Sequence, residues 1–502
     1  MIRSPRASLV TVPRLAALAI MALAGAMYSA QALDDSSLDN SSLARDAAWV
    51  STQSERITPR ATGLADNLWN LAEMGYQETR SSAAIQDHLT EAGFEIETGI
   101  ADIPTAFVAS YRQGRGGPVI GLLAEMDALP GVSQAAVPEH SPIEGQAAGH
   151  ACGHHLFGAG STAAAIMLSR WLEETDTPGE IRLYGTPAEE GGSGKVYMVR
   201  AGAFEGTDTV LQWHPSDRNE ALPQSTLANR SAKFRFKGVA SHAAAAPERG
   251  RSALDGVEAM NFMVNMLREH VPDSTRIHYV ITDGGGAPNV VPADAEVFYY
   301  VRDNTAADLE PVWERVEQIA MAAAQGTGTS VEWEVIHGNH SLLPNQTLNR
   351  LLDASMRQFG GIEYSPDELE FAKSLDGLAN RPGHEIGDQQ TIVEYDPSEA
   401  PLSGSTDVGD VSWNVATGGF GTATWVPGTS AHTWQAVAAG GTSIGHKGML
   451  LAAETLTLAG IQLLRDPALV EEAQREFERK RGDDFKYVPL LGDREPPLDY
   501  RK

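Results

Sequence analysis

The sequence predicts an α/β fold, a mixed-sheet catalytic domain carrying an inserted α+β domain, and three observations predict it. Across residues 107–212, apolar runs of strand length alternate with a helical run. Across 228–340 the order changes to βαββαβ, the pattern of a ferredoxin-like unit. Polar residues gather where the strands of the first region end, which is where α/β sheets place their sites.

The elements follow in order. Arg3, Arg6 and Arg14 precede an apolar run over 15–27 and then Ala30-Gln31-Ala32, the layout of a secretory signal peptide. That run is shorter than the roughly 20 residues a membrane-spanning helix needs, so cleavage after Ala32 is expected. The mature protein is then periplasmic or secreted, with no membrane attachment. After a polar stretch at 34–54, residues 64–74 and 81–92 have helical spacing. Residues 107–111 and 119–123 read as strands, the second running into Glu125-Met126-Asp127-Ala128-Leu129-Pro130. An Ala-rich helix at 158–173 leads to strands at 180–184 and 209–212, the latter ending at Trp213-His214-Pro215.

In the insert, 233–238, 276–282, 295–301 and 330–336 read as strands, and 252–270 and 309–324 as helices. Residues 341–400 mix helix and loop without a clear period. The larger domain resumes near Gly404 and closes with a helix at 447–464, and from Glu471 a charged helix passes into a Pro-rich extended tail. The expected boundaries are therefore 1–32 for the leader, 33–227 and 341–470 for the catalytic domain, 228–340 for the insert and 471–502 for the tail.

Composition narrows the function. The formal charge of −28, from 66 acidic and 38 basic residues, works against nucleic acid and anionic membranes as partners. The single cysteine, Cys152, cannot form an internal disulfide, and an exported thiol needs protection. Its neighbours suggest what protects it. His150-Ala151-Cys152-Gly153-His154-His155 holds four metal-binding side chains, and Cys and His at spacing two project from the same side of an extended segment. Thiolate and imidazole suit zinc, manganese or cobalt.

Glu189 and Glu190 stand in a Gly-rich loop after a strand, where adjacent carboxylates repel unless a cation or a shared proton relieves them. One can bind metal while the other moves a proton. His214 offers a further imidazole on rigid backbone, and His432 and His446 are two more that spacing cannot separate.

Together these segments resemble the aminoacylase and carboxypeptidase family of co-catalytic metallopeptidases, in its branch of auxin-conjugate hydrolases and N-acyl-amino-acid amidohydrolases. The resemblance runs over residues 60–465. It rests on Glu125-Met126-Asp127-Ala128-Leu129, Gly149-His150-Ala151-Cys152-Gly153-His154, Glu189-Glu190-Gly191-Gly192-Ser193-Gly194-Lys195, Ser241-His242-Ala243-Ala244, Asn289-Val290-Val291-Pro292, Ser405-Thr406-Asp407-Val408-Gly409-Asp410 and His432-Thr433-Trp434-Gln435.

The resemblance implies two divalent ions per protomer. Cys152 would bridge them, and His154, Glu190, His214 and His432 would complete the set. It makes Glu189 the general base for a metal-activated water and Asp127 a support for the site. It also implies a dimer built by the insert, with His242 reaching the partner's site, Asn289 and Arg302 holding a substrate carboxylate, and the assembly being a homodimer or including a related second subunit. The implied reaction is hydrolysis of the amide bond of an N-acyl or N-aroyl amino acid, a small-molecule substrate. The branch usually has Asp after Cys-Gly-His, where this chain has His155. Competing readings are a broader dipeptidase or deacetylase, a non-catalytic metal- or peptide-binding protein, and a cysteine hydrolase using Cys152 and His154.

Overall fold

A computed structural model describes residues 40–379 and 382–501. The expected leader at 1–32 lies outside the described residues. From Ala44 onward the chain forms one compact unit. Helices α1 (Asn40–Leu71) and α2 (Thr79–Glu91) lead into strands β1 (Glu95–Thr98), β2 (Phe107–Gln113) and β3 (Val119–Glu125). A short ribbon pairs β4 (Leu129–Pro130) with β5 (Ala148–Gly149), and α3 (His154–Thr175), β6 (Gly179–Thr186), α4 (Gly194–Arg200), β7 (Thr209–Ser216) and β8 (Glu220–Ala221) follow.

The insert comprises β9 (Ala228–Lys237), α5 (Ala253–Leu267), β10 (Arg276–Asp283), β11 (Asp294–Asp303), α6 (Ala306–Thr327) and β12 (Ser330–Asn339). Then come α7 (Gln346–Arg357), α8 (Pro366–Ser374), α9 (Val408–Ser412), β13 (Ala416–Ala423), α10 (Trp434–Gly440), α11 (Ser443–Arg465) and α12 (Pro467–Arg481).

The larger sheet has seven strands in the order β1-β2-β6-β3-β7-β13-β8. Its centre is parallel: β3 pairs with β6 and β7, and β7 with β13, while β2 runs antiparallel to β6. Helix α3 packs on β3, β6 and β7, and α11 packs on α3 and β13. The central strands are therefore covered and almost wholly apolar, as a parallel sheet requires.

The insert folds in the expected βαββαβ order into an antiparallel sheet, β10-β11-β9-β12, with α5 and α6 on it. Phe234, Phe236, Val257, Tyr299 and Trp313 form its core. Edge strand β10 and helix α5 nevertheless leave Val280 56% and Phe262 68% exposed, more apolar surface than a finished face leaves open.

Three expectations change. Residues 40–54 are helical rather than an irregular polar stretch, because Val50, Ile57, Ala61, Leu64 and Leu68 bury one continuous helical stripe under polar neighbours. Strand β7 does not end at Gln212. It continues through His214 to Ser216 because β13 pairs with it in parallel over that whole length. Residues 341–400 contain two definite helices, fixed at their starts by the Asn345 side chain and by a capping box of Ser365 and Glu368.

Candidate metal centre

The carboxyl ends of β3, β6 and β7 carry the site. β3 ends at Glu125 with Asp127 just beyond, β6 runs into the Glu189-Glu190 loop, and β7 holds His214. The β4–β5 ribbon folds the chain back so that Cys152 and His154 enter at the start of α3.

Donor atoms of Cys152, His154 and His214 lie within 4.8 Å of one another, and so do those of Cys152, Glu190 and His432. Cys152 belongs to both triads, so its sulfur stands between two places for a cation. Its Sγ is 3.7 Å from His214 Nε2, and His432 Nε2 is 3.3 Å from Glu190 Oε1.

The imidazoles are oriented from behind. His154 Nδ1 donates to Asp127 Oδ1 at 3.0 Å, and His214 Nδ1 donates to the Pro215 carbonyl at 2.8 Å. Each ring thus presents Nε2 as a lone pair, the arrangement second partners impose on metal-binding histidines. The other oxygen of Asp127 accepts the Glu190 amide at 2.9 Å, so one carboxylate ties two of the five donors together.

A metal fits these residues. Buried at the centre, His154 Nε2, Glu190 Oε1 and Glu125 Oε2 have no hydrogen-bond partner. The first and last are 3.0 Å apart without the alignment of a hydrogen bond. Orphaned acceptors grouped round a thiol are the signature of a cation site. Burial, and then the Glu190 carboxylate, push the Cys152 thiol up, so a thiolate here needs a neighbouring positive charge. Burial, with Glu125, Glu190 and Asp407 adding to it, raises Glu189 well above the carboxylate range.

Beneath the triads lies a buried ionic network that motif spacing did not reveal. Lys195 Nζ is 2.7 Å from both Glu125 Oε1 and Asp407 Oδ1. Burial would lower the Lys195 ammonium, but Asp407 and Glu125 outweigh it and hold it charged. Backbone strain concentrates here too: Ala188, Ser193 and His432 take left-handed φ values of 57°, 59° and 62°.

Other sequence candidates fall elsewhere. His150 and His155 are buried but turn away, their Nε2 atoms 3.0 and 3.1 Å from the carbonyls of Leu68 and Gly440. Burial, reinforced by His154, holds His150 down to about 3, so both read as neutral packing groups. The four-donor cluster in the sequence thus contributes two donors. His446 pairs with Asp66 at 2.9 Å, away from the triads, and His432 takes the place spacing left open.

His242 is exposed on the insert, its Nδ1 accepting the amides of Ala244 and Ala245. Asn289 is exposed beside it, its carbonyl accepting the Ala243 amide at 3.0 Å. Neither lines the cavity next to the triads. Arg302 reaches the rim of that cavity, donating from Nη1 to Ser405 Oγ at 3.3 Å, while its buried Nε has no partner.

Beyond the triads, Gln212, Gln224, Thr226, Thr417, Leu222 and Leu342 give the cavity a neutral lining. Gln212 is a residue the sequence motifs did not single out. It sits two positions before His214 on the same face of β7, and that period-two relation was the available signal.

A parallel-centred α/β sheet, an inserted α+β domain and two donor triads sharing a thiol define the class: a dinuclear metallopeptidase. The family model of the peptidase dimerisation domain matches residues 228–328. One of the two p-aminobenzoyl-glutamate hydrolase subunits of Escherichia coli (strain K12) is 40% identical over 456 residues, covering 86% of this chain and 94% of that protein. Xaa-Arg dipeptidase from Mus musculus is 31% identical over 445 residues, 85% of this chain and 90% of that one. The chain belongs to the M20 peptidase family of hydrolases.

Solved structures share the fold. A dinuclear metal binding peptidase of the M20 family from Bacillus subtilis matches with a TM-score of 0.57 and 17% identity, over 82% of this chain and 99% of that one. An aminobenzoyl-glutamate utilization protein from Klebsiella pneumoniae matches with a TM-score of 0.57 and 18% identity, over 82% and 98%.

Proposed function

We propose that the protein hydrolyses the amide bond of an N-acyl or N-aroyl amino acid resembling p-aminobenzoyl-glutamate. The observation that carries this is Cys152, shared by two donor triads with Glu189 beside them. Cys152, His154, Glu190, His214 and His432 hold two divalent ions, zinc or manganese, with cobalt also compatible. Bound there, the ions supply Lewis-acid polarisation and a water of lowered pKa.

Glu189 takes the proton of the attacking water and delivers it to the leaving nitrogen, a role its raised affinity for protons suits. Asp127 orients His154 and Glu190. Arg302, at the cavity rim, receives the substrate carboxylate. The cavity lining supports the acyl reading over an Xaa-Arg dipeptidase: among the described residues its only carboxylates are Glu189 and Glu190, which leaves none to pair with an arginine side chain.

Assembly follows from the insert. The exposed apolar residues of β10 and α5 support a homodimer, and His242 and Asn289 then serve the partner's cavity. A related second subunit is the other arrangement. It is suggested by the companion p-aminobenzoyl-glutamate hydrolase subunit of Escherichia coli (strain K12), which is 28% identical to this chain over 282 residues. The composition of residues 1–32 supports export. Sequencing the amino terminus of secreted protein tests this, and a start near Leu33 is expected.

The deciding experiment is metal analysis of the purified chain alongside Glu189→Gln. Two equivalents of metal are expected in both, with turnover lower by about 10²–10⁴-fold in the variant. Metal loss in the variant would reverse the roles of the two glutamates. Activity that survives chelation but not thiol alkylation would overturn the metal reading in favour of a Cys152 nucleophile.

A further inference from the structure

After α12, residues 482–501 cross the body without regular structure and tie together parts far apart in sequence. Leu490 and Leu491 are buried, and Arg494 reaches the insert, with Nη2 2.7 Å from Glu334 Oε1 and Nη1 donating to the Ile336 carbonyl at 2.7 Å. Arg200 of α4 donates to the Gly492 and Arg494 carbonyls at 3.0 and 2.7 Å, and Gln77 donates to that of Leu498 at 2.8 Å.

The segment finishes on the metal-bearing loop. Tyr500 Oη at 3.2 Å and Arg501 Nη2 at 2.8 Å both donate to the main-chain carbonyl of Glu190. The Tyr500 ring meets Tyr76 edge-on with centroids 5.6 Å apart, and Tyr76 Oη donates to the Gly192 carbonyl at 2.7 Å. The fit leaves no spare room, since a Cβ on Gly75 would stand 2.3 Å from Tyr500 Oη.

This loop needs outside support. Ala188 and Ser193 are held in left-handed backbone without being glycine, and the loop's own bonds run only from the Gly191 amide to the Glu189 carbonyl and from the Gly192 amide to that of Ala188. The Glu190 carbonyl is satisfied from the tail instead. The residue whose carboxylate belongs to the second donor triad is therefore held at its amide by Asp127 and at its carbonyl by Tyr500 and Arg501.

We propose that residues 482–501 are a brace running from the insert to the metal-bearing loop, and that Tyr500 and Arg501 are positioning residues that set where the Glu190 carboxylate stands. This rests on the reading of Glu190 as a ligand. Groups that orient a ligand commonly govern affinity nearly as strongly as the ligand does.

The test uses the full chain stripped of metal, titrated with Mn²⁺ against a competing chelator. It compares wild type, the double variant Tyr500→Phe/Arg501→Ala, and Arg501→Lys. In the double variant one of two Mn²⁺ equivalents is expected to bind about tenfold more weakly, with the other unchanged. Arg501→Lys, which keeps a donor, is expected to recover most of that loss. Amide exchange over 188–193 is expected to accelerate in the double variant while the thermal midpoint of the metal-free chain holds.

Wild-type affinity at both equivalents overturns the proposal. So does equal weakening of both with a fallen midpoint, which would make the tail a general stabiliser. If wild type binds no Mn²⁺, the reading of the site as a metal centre is what fails, and amide exchange alone decides the brace.

Discussion

Lys195 answers Asp407 across 2.7 Å at full burial, and the same ammonium answers Glu125 at the same distance. Two carboxylates under the donor triads thus depend on one cation supplied by the chain itself. Lys195→Met is expected to leave both uncompensated and to cost about 3–5 kcal/mol, read as a shift of the urea unfolding midpoint. Adding Asp407→Asn should return part of that loss. A single variant as stable as wild type would mean the carboxylates take up protons without penalty.

Asp127 accepts a ring N–H from His154 and a main-chain N–H from Glu190. In Asp127→Asn a carboxamide nitrogen must face one of these donors, so one contact becomes repulsive. Metal affinity is expected to fall by roughly 10–100-fold in a chelator competition. Unchanged affinity would remove Asp127 from the supports of the site.

A shared active site makes a distinctive prediction for mixed dimers. His242→Ala and Glu189→Gln chains, each nearly inactive alone, should regain part of the wild-type rate after mixing and exchange of protomers, because one site in each mixed dimer carries both intact residues. Failure to regain activity, once exchange is verified by mass spectrometry, would confine His242 to its own protomer.

Glu454, on α11 beside Ser54 and Glu55 of α1, gives a pH signature away from the metal. Burial, with Glu55 adding to it, raises its carboxyl from 4.5 to about 7. The folded chain therefore holds a proton that the unfolded chain has released, and stability falls as pH climbs from 4.5 to about 7. Glu454→Gln removes this penalty. The variant should match wild type near pH 4.5 and exceed it by up to roughly 3 kcal/mol above pH 7 in denaturant titrations. Equal stability at both ends would contradict a raised carboxyl.

The sequence carried the site further than the scaffold under it. Cys152, His154, Glu190, His214 and His432 meet in space because each stands at a strand end or helix start where spacing and glycine content mark it, and the βαββαβ order of the insert was legible from period alone. Helix α1 was legible only in part, since its polar face over 40–54 masks the stripe that Val50 and Ile57 begin. Lys195, Glu125 and Asp407 were visible as members of motifs, yet their mutual neutralisation depends on three segments converging, which no local pattern encodes. His150 and His155 were the converse. They look like donors in one dimension and become packing groups once Leu68 and Gly440 supply acceptors.

The adjacent glycines of β13 answer to different neighbours. A Cβ on Gly418 would come within 2.6 Å of Leu348 Cβ, so helix α7 forbids it. One on Gly419 would meet only the tip of Gln212, 2.1 Å from Nε2, and that flexible end can swing aside into the cavity. The first position is locked by the architecture, whereas the second is a tuning point at which a single methyl redraws the chamber while the scaffold stands. Divergence in which acyl groups members of such a lineage accept can therefore begin at Gly419, without passing through an unstable ancestor.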